Sequence, residues 1–181
     1  MNPKFHDITT TQAAAYLLKK RGGAMSYMKL IKLLYLVDRE ALLRWGRPVT
    51  FDRYVSMKNG IVLSNTYDLI LDNSLPGSEY WSKHISAPSD YEITLMKEPP
   101  FDELSQMEIG LIDEIFLNYG ACNRWELVEK IHELPEWIDP DHSAIRVEYK
   151  DILTAAGKTD SEVQEILHEL DGIALADLHF S

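Results

Sequence analysis

The chain has 181 residues, 45% of them hydrophobic and 26% charged, and a formal net charge of −11. That length fits one domain spanning 1–181, with the composition of an ordinary folded globule. Its acidity argues against binding nucleic acid by neutralising phosphates, and suits a partner with a basic surface. A lone cysteine, Cys122, rules out an internal disulfide. No apolar run approaches the ~20 residues of a membrane span, and the N-terminus lacks the basic-then-apolar order of a secretory signal. The expected setting is therefore the cytoplasm, with no membrane contact.

In chain order, Thr9 and Gln12 have capping-box spacing and predict a helix start. Ala13, Ala14, Leu17 and Leu18 give it a narrow apolar face, and Arg21-Gly22-Gly23 ends it. A second helix is predicted over Ser26–Trp45. Leu30, Leu34, Val37 and Ala41 keep helical rhythm, while Ile31, Leu33 and Leu36 widen the stripe almost all round, as in a helix central to its domain. Gly46 stops it and Pro48 prevents its continuation. Asp52–Met57 reads as a strand. Asn59-Gly60 reads as a turn, since both residues tolerate positive φ. Leu63–Leu71 returns to helical spacing, with Ser64 as a cap.

Prolines and glycines punctuate residues 73–100. Within them, Tyr80–Ser86 and Tyr91–Met96 read as a hairpin that would join the earlier strand in a small sheet. Ser105 and Glu108 box a third helix that Gly120 ends. Asn123 and Glu126 box a fourth, with Trp125, Val128, Ile131 and Leu134 facing inward and Pro135 closing it. Thr159 and Glu162 box the last helix, whose apolar side carries Val163, Ile166, Leu167 and Leu170. The expected fold class is mainly α (α+β): a helical domain around a central apolar helix, with a small antiparallel sheet or hairpin.

The residues give no catalytic assignment. None of the six histidines has a two-histidine metal spacing, and Asp139-Pro140-Asp141-His142 lacks a second ligand cluster, so it reads as a capped turn. Cys122 reads as structural. There is no nucleophile elbow and no phosphate-cradling glycine loop. No metal or cofactor is expected, and an enzyme on a helical scaffold is only an alternative reading. Asp38 and Arg39 interrupt the central helix. They read either as a polar edge shared with Lys32 or as an anchor for the Arg47–Arg53 loop or for a partner. Trp81 and Trp137 fall outside clear core registers, which makes them interface candidates.

Four motifs then occur in order: Lys32-Leu33-Leu34-Tyr35-Leu36-Val37-Asp38, Pro48-Val49-Thr50-Phe51-Asp52, Lys58-Asn59-Gly60-Ile61-Val62 and Ser64-Asn65-Thr66-Tyr67. Their order resembles the Panacea domain, shared by bacterial and phage antitoxins that include the SocA-like proteins. Leu134-Pro135-Glu136-Trp137 is a looser echo of a leucine-proline step in that family. The family commonly has Gly-Pro in the turn where this chain has Gly60-Ile61, which loosens the turn.

The resemblance implies an antitoxin that neutralises a co-encoded protein toxin by direct binding. For some SocA-like members it implies an adaptor that delivers the toxin to an AAA+ protease. There is no CxxC pair and no basic helix-turn-helix, so operon repression is not expected. The surface expected to meet the toxin combines the Arg47–Tyr54 loop, the turn at Asn59 and the Tyr67 helix. Its candidate residues are Asp38, Arg39, Arg47, Asp52, Arg53, Tyr54, Asn59, Tyr67, Trp81 and Trp137.

Overall fold

The computed structural model describes residues 2–180. Helix α1 (Asp7–Lys20) leads through β1 (Ala24–Ser26) into α2 (Tyr27–Trp45). The hairpin β2 (Tyr54–Met57) and β3 (Gly60–Leu63) follows, then α3 (Ser64–Leu71), α4 (Ser78–His84) and β4 (Glu92–Thr94). The chain continues through α5 (Gln106–Tyr119), α6 (Arg124–His132), β5 (Ile145–Val147), α7 (Tyr149–Ala155) and α8 (Asp160–Phe180). The fold is mainly helical with a few antiparallel strands, as the periodicity predicts.

Helix α2 is the axis of the structure. Leu30, Leu33, Leu34, Tyr35, Val37, Ala41 and Leu42 are all fully buried, and α1, α3, α5, α6, α7 and β3 pack on it. An axis enclosed from so many directions must be apolar around most of its circumference. Gly46, at φ 76°, ends it in the left-handed conformation that glycine takes without a Cβ penalty. The boxes at Ser105/Glu108 and Asn123/Glu126 form with both reciprocal hydrogen bonds. Thr159 and Glu162 exchange the same pair at the start of α8.

Several elements differ from the sequence expectation. Helix α1 starts at Asp7 without a Thr9 box. Gln12 is buried, and its amide Nε2 donates to Tyr80 Oη (3.0 Å) and Asp102 Oδ1 (2.9 Å), while its Oε1 accepts from the Glu103 amide (2.8 Å). It ties α1 to α4 and to the entry of α5 instead of capping its own helix. Tyr80–Ser86 is not a strand, since most of it belongs to the short helix α4. Helix α4 packs on α1 and seats Trp81 in the core, 2% exposed. The other half of the expected hairpin, β4, pairs with β1 across Ala24–Thr94, Met25–Ile93 and Ser26–Glu92.

The larger sheet has the order β3-β2-β5. Both β5 and the following helix α7 lie in a stretch without a strong period. In α6 the buried residues are Leu127, Val128 and Ile131. That register turns Trp125 outward, 52% exposed, against the expectation. The segment from Ile173 continues α8 to Phe180, leaving Leu175, Leu178 and Phe180 exposed.

Gln12→Leu should lower unfolding stability by about 1–2 kcal/mol, because the Glu103 amide and the Tyr80 hydroxyl lose their partner. Chemical denaturation of the two proteins measures this.

Candidate functional site

The crossover from α2 to β2 runs through Pro48, Val49, Thr50, Phe51 and Asp52, all buried. Buried backbone needs hydrogen-bond partners, and one side chain of the central helix supplies most of them. Asp38 is fully buried. Its Oδ1 accepts from the amides of Val49 (2.9 Å) and Thr50 (3.0 Å). Its Oδ2 accepts from the Thr50 hydroxyl and from the Tyr54 hydroxyl (2.8 Å). Asp38 is therefore the loop anchor, and the alternative of a solvated edge shared with Lys32 is ruled out. Burial pushes its carboxyl up to about 6, against the opposing pull of the Thr50 and Tyr54 donors.

Asp52 repeats the device one turn of chain later. It is 2% exposed, and it accepts from the amides of Arg53, Asn65 and Thr66 and from the Asn65 and Thr66 side chains. A carboxylate from outside α3 thus satisfies the first-turn donors that Ser64 was expected to cap. Burial raises the Asp52 carboxyl too, with these donors opposing it.

A third buried acid closes the network. Glu136 accepts from the Tyr35 hydroxyl (2.8 Å) and pairs with the Arg39 guanidinium (2.5 Å). The Leu134–Trp137 step is thereby locked to α2.

Lys32 is the fourth buried polar group. Its Nζ donates to the Ile61 carbonyl (3.0 Å), and burial lowers it to about 8. A Cβ on Gly60 would come within 3.0 Å of Ile131 Cγ2 and 3.3 Å of Lys32 Nζ. Gly60 also sits at φ 100°, whereas Asn59 is not in the positive-φ region. The turn is held by Ile61, fully buried and bonded to Lys32, and is not loosened by the absence of proline. From the other side, Trp137 Nε1 donates to the Met57 carbonyl (3.3 Å), and the His132 ring, stacked 3.9 Å from Trp137, meets the Lys58 carbonyl (3.0 Å).

These fastenings position a groove of about 210 Å³ between the start of α2 and the β2–β3 turn. Tyr27, Met28 and Ile31 form one wall, and Met57, Asn59, Val62 and Tyr67 the other. The Tyr27 ring lies 6.3 Å from Tyr67 and 6.1 Å from Tyr91, which is 68% exposed. Met57 and Tyr67 are 43% and 36% exposed. Clustered exposed aromatics and methionine around a concavity are the usual material of a binding surface.

Of the ten candidate residues, the structure brings only Asn59 and Tyr67 into this groove, with Trp137 behind the turn. Asp38, Asp52, Tyr54 and Trp81 are at most 2% exposed and have no surface to offer a partner. For the two tyrosine and tryptophan candidates this is a correction: both side chains are core. Arg39 is committed to Glu136. Arg53 is exposed beside Ser64 (3.3 Å). Arg47 lines a separate cleft with Trp45, Pro48 and Met107. Tyr27, Met28, Ile31, Met57 and Tyr91 were not anticipated. For Tyr27, Met28 and Ile31 the signal was the apolar excess of α2 beyond one face; Met57 and Tyr91, in β2 and before β4, had none. Among the described residues, no three His, Cys, Asp or Glu side chains gather as a metal site, and no helix is long and apolar enough to cross a membrane.

Asp38→Ala should cost about 3–5 kcal/mol, because two amides and two hydroxyls lose their acceptor. Asp38→Asn should cost clearly less, since its oxygen keeps the amides and the hydroxyls turn to accept from its NH₂. The folded carboxyl titrates near 6 and the unfolded one near 3.8. The folded state therefore holds more protons between those values, and this residue's contribution to stability falls as pH rises through that window. Denaturation of wild type and Asp38→Asn from pH 4 to pH 7 should show this slope in their difference.

No curated protein and no solved structure matches the chain. Residues 30–138 match the family described as antitoxin SocA-like, Panacea domain. That span runs from the middle of the groove's α2 wall to the Trp137 prop and contains all four buried polar fastenings. The chain therefore belongs to the SocA-like antitoxin family and carries its Panacea domain over residues 30–138.

Proposed function

We propose that this protein neutralises a co-encoded protein toxin by binding it directly, and that the Tyr27–Met57–Tyr67 groove is the contact. The observation that carries this reading is that most of the groove's lining, Ile31, Met57, Asn59, Val62 and Tyr67, falls within the antitoxin domain. It is an exposed, apolar, aromatic-rimmed concavity whose hairpin wall is pinned by the buried Lys32–Ile61 hydrogen bond and by the exposed Trp137–Met57 one. A rigid wall loses little conformational freedom on association. Tyrosine and methionine supply contact area with few committed polar groups. The net charge of −11 supports a toxin with a basic surface, which the acidic field would steer towards the groove.

The test is co-expression with the protein encoded beside this chain, with growth and co-purification as readouts. Tyr67→Ala and Met57→Ser should each weaken toxin binding by more than ~1 kcal/mol while leaving thermal unfolding nearly unchanged, because both side chains are already partly solvated. Leu117→Ala, on the exposed side of α5 and 83% exposed, should leave binding as it is. Wild-type affinity in both groove variants would move the interface elsewhere. Toxin half-life in cells with and without AAA+ proteases separates direct blocking from delivery for degradation: blocking leaves the half-life unchanged. The association rate should fall as salt rises, as measured by stopped flow.

A further inference from the structure

A second concavity opens at the same end of α2 and has the opposite chemistry. It encloses about 560 Å³ and is lined by Arg21, Ser26, Lys29, Glu92, Asn123 and Arg124, with Trp125 at its edge. In a chain carrying a net −11, three cations face one carboxylate, Glu92, across this cleft. Among the described residues, none of Arg21, Lys29 and Arg124 forms an ion pair.

Lys29 is the most telling of the three. It is only 7% exposed, and its ammonium uses one proton, donating to the Gly120 carbonyl at 2.5 Å. Two donors remain uncommitted. A buried cation without a counter-ion is costly. Here burial and the neighbouring Arg21 both hold Lys29 below the usual lysine range, and Cys122 and Glu126 only partly oppose them. Glu126 is itself committed to the Asn123 amide (2.8 Å).

Neutral donors accompany the charges. Ser26 stands at the N-cap of the 19-residue helix α2 yet makes no capping bond, and its hydroxyl is buried with no hydrogen-bond partner. Such an orphan needs an explanation. Asn123 caps α6 through Oδ1 alone, which leaves its NH₂ for the cleft. The first turn of α2 has no side-chain cap, and although the Tyr27 amide is taken by the Tyr91 carbonyl (3.0 Å), it adds the partial positive charge of a helix N-terminus. Above these donors, the Trp125 ring is 52% exposed and lies 5.5 Å from the Arg124 guanidinium.

We propose that this cleft is an anion site for the phosphate group of a nucleotide-sized ligand. Lys29, Arg21 and Arg124 supply charge, Ser26 and Asn123 supply neutral donors, and Trp125 offers a face for a ring. The volume falls within the range of small-molecule sites. Charge-assisted hydrogen bonds to phosphate oxygens would give the ammonium and the serine hydroxyl the partners they lack. The site is independent of the toxin groove, which is lined by other residues of α2.

Calorimetric titration of the purified protein with inorganic pyrophosphate and with ADP tests it. Both should bind saturably at one site per chain. Affinity should fall about tenfold or more in the Arg21→Ala/Arg124→Ala double variant, whose side chains are exposed and whose fold circular dichroism would verify. Lys29→Met should abolish binding, and the surface double variant covers the case in which that protein does not fold. Tighter binding of ADP than of pyrophosphate, lost in Trp125→Ala, assigns the ring face to Trp125. Absence of saturable binding by both probes, or affinity unchanged in the double variant, overturns the site.

Discussion

A single carboxylate in the central helix decides how the rest of the chain is threaded. Asp38 is fully enclosed, in a helix whose other enclosed residues are mostly apolar. Burying a charge there is favourable only if the surrounding donors replace its water. They do: two amides and two hydroxyls of the 49–54 segment converge on it. The dependence is mutual. The crossover could not run through the interior without an acceptor for its amides, and the acid could not be interior without the crossover. Once the loop is fixed, Tyr54 starts β2 in one register, Asp52 is delivered to the start of α3, and the hairpin tip falls beside Lys32.

The same logic explains why the interior tolerates so many polar side chains. Lys29, Lys32, Asp38, Asp52 and Glu136 are all buried, and each is joined to a segment outside its own element, Lys29 to the Gly120 carbonyl at the end of α5. Lys32 reaches β3, Asp38 and Asp52 bind the crossover and α3, and Glu136 draws the segment after α6 onto α2. Hydrophobic burial brings these elements together without choosing among sliding registers. Hydrogen bonds of fixed length and direction choose. The two lysines are the least fully partnered of the five, since each makes a single bond, to the Gly120 and Ile61 carbonyls, and neither meets a carboxylate.

Much of this was legible in the sequence where signals are local. The central helix is declared by its apolar excess, its end by Gly46 and Pro48, and three later helices by capping boxes spelled within four residues. The motif order identified the domain. What stayed hidden depends on partners far away in the chain. Strands β1, β4 and β5 are three residues each, too short for alternation to register, and they exist only because of partners tens of residues away. Tyr80–Ser86 has the aromatic content of a strand, yet Trp81 and His84 are buried one helical turn apart. Gln12 matched a cap by spacing, and a tertiary network took it instead. Tyr54 and Trp81 looked like surface anchors because nothing local says that a buried acid or a packed helix covers them.

This division bears on what the family relationship conveys. Five polar letters of its motifs, Lys32, Tyr35, Asp38, Thr50 and Asp52, are interior and are spent on holding loops to α2 and the start of α3 to the crossover. They specify a scaffold. The groove's contact residues Tyr27, Met28, Ile31 and Met57 lie between or outside the motif positions, and of the exposed residues Met57, Asn59 and Tyr67 on its β2–α3 side, Asn59 and Tyr67 fall within motifs. A side chain at the groove can change without removing a partner from any buried donor, so under the proposed function the choice of toxin is free to vary while the fastenings stay put. One scaffold with a rigid, re-writable wall is a physical route by which a single domain can serve partners of unrelated structure.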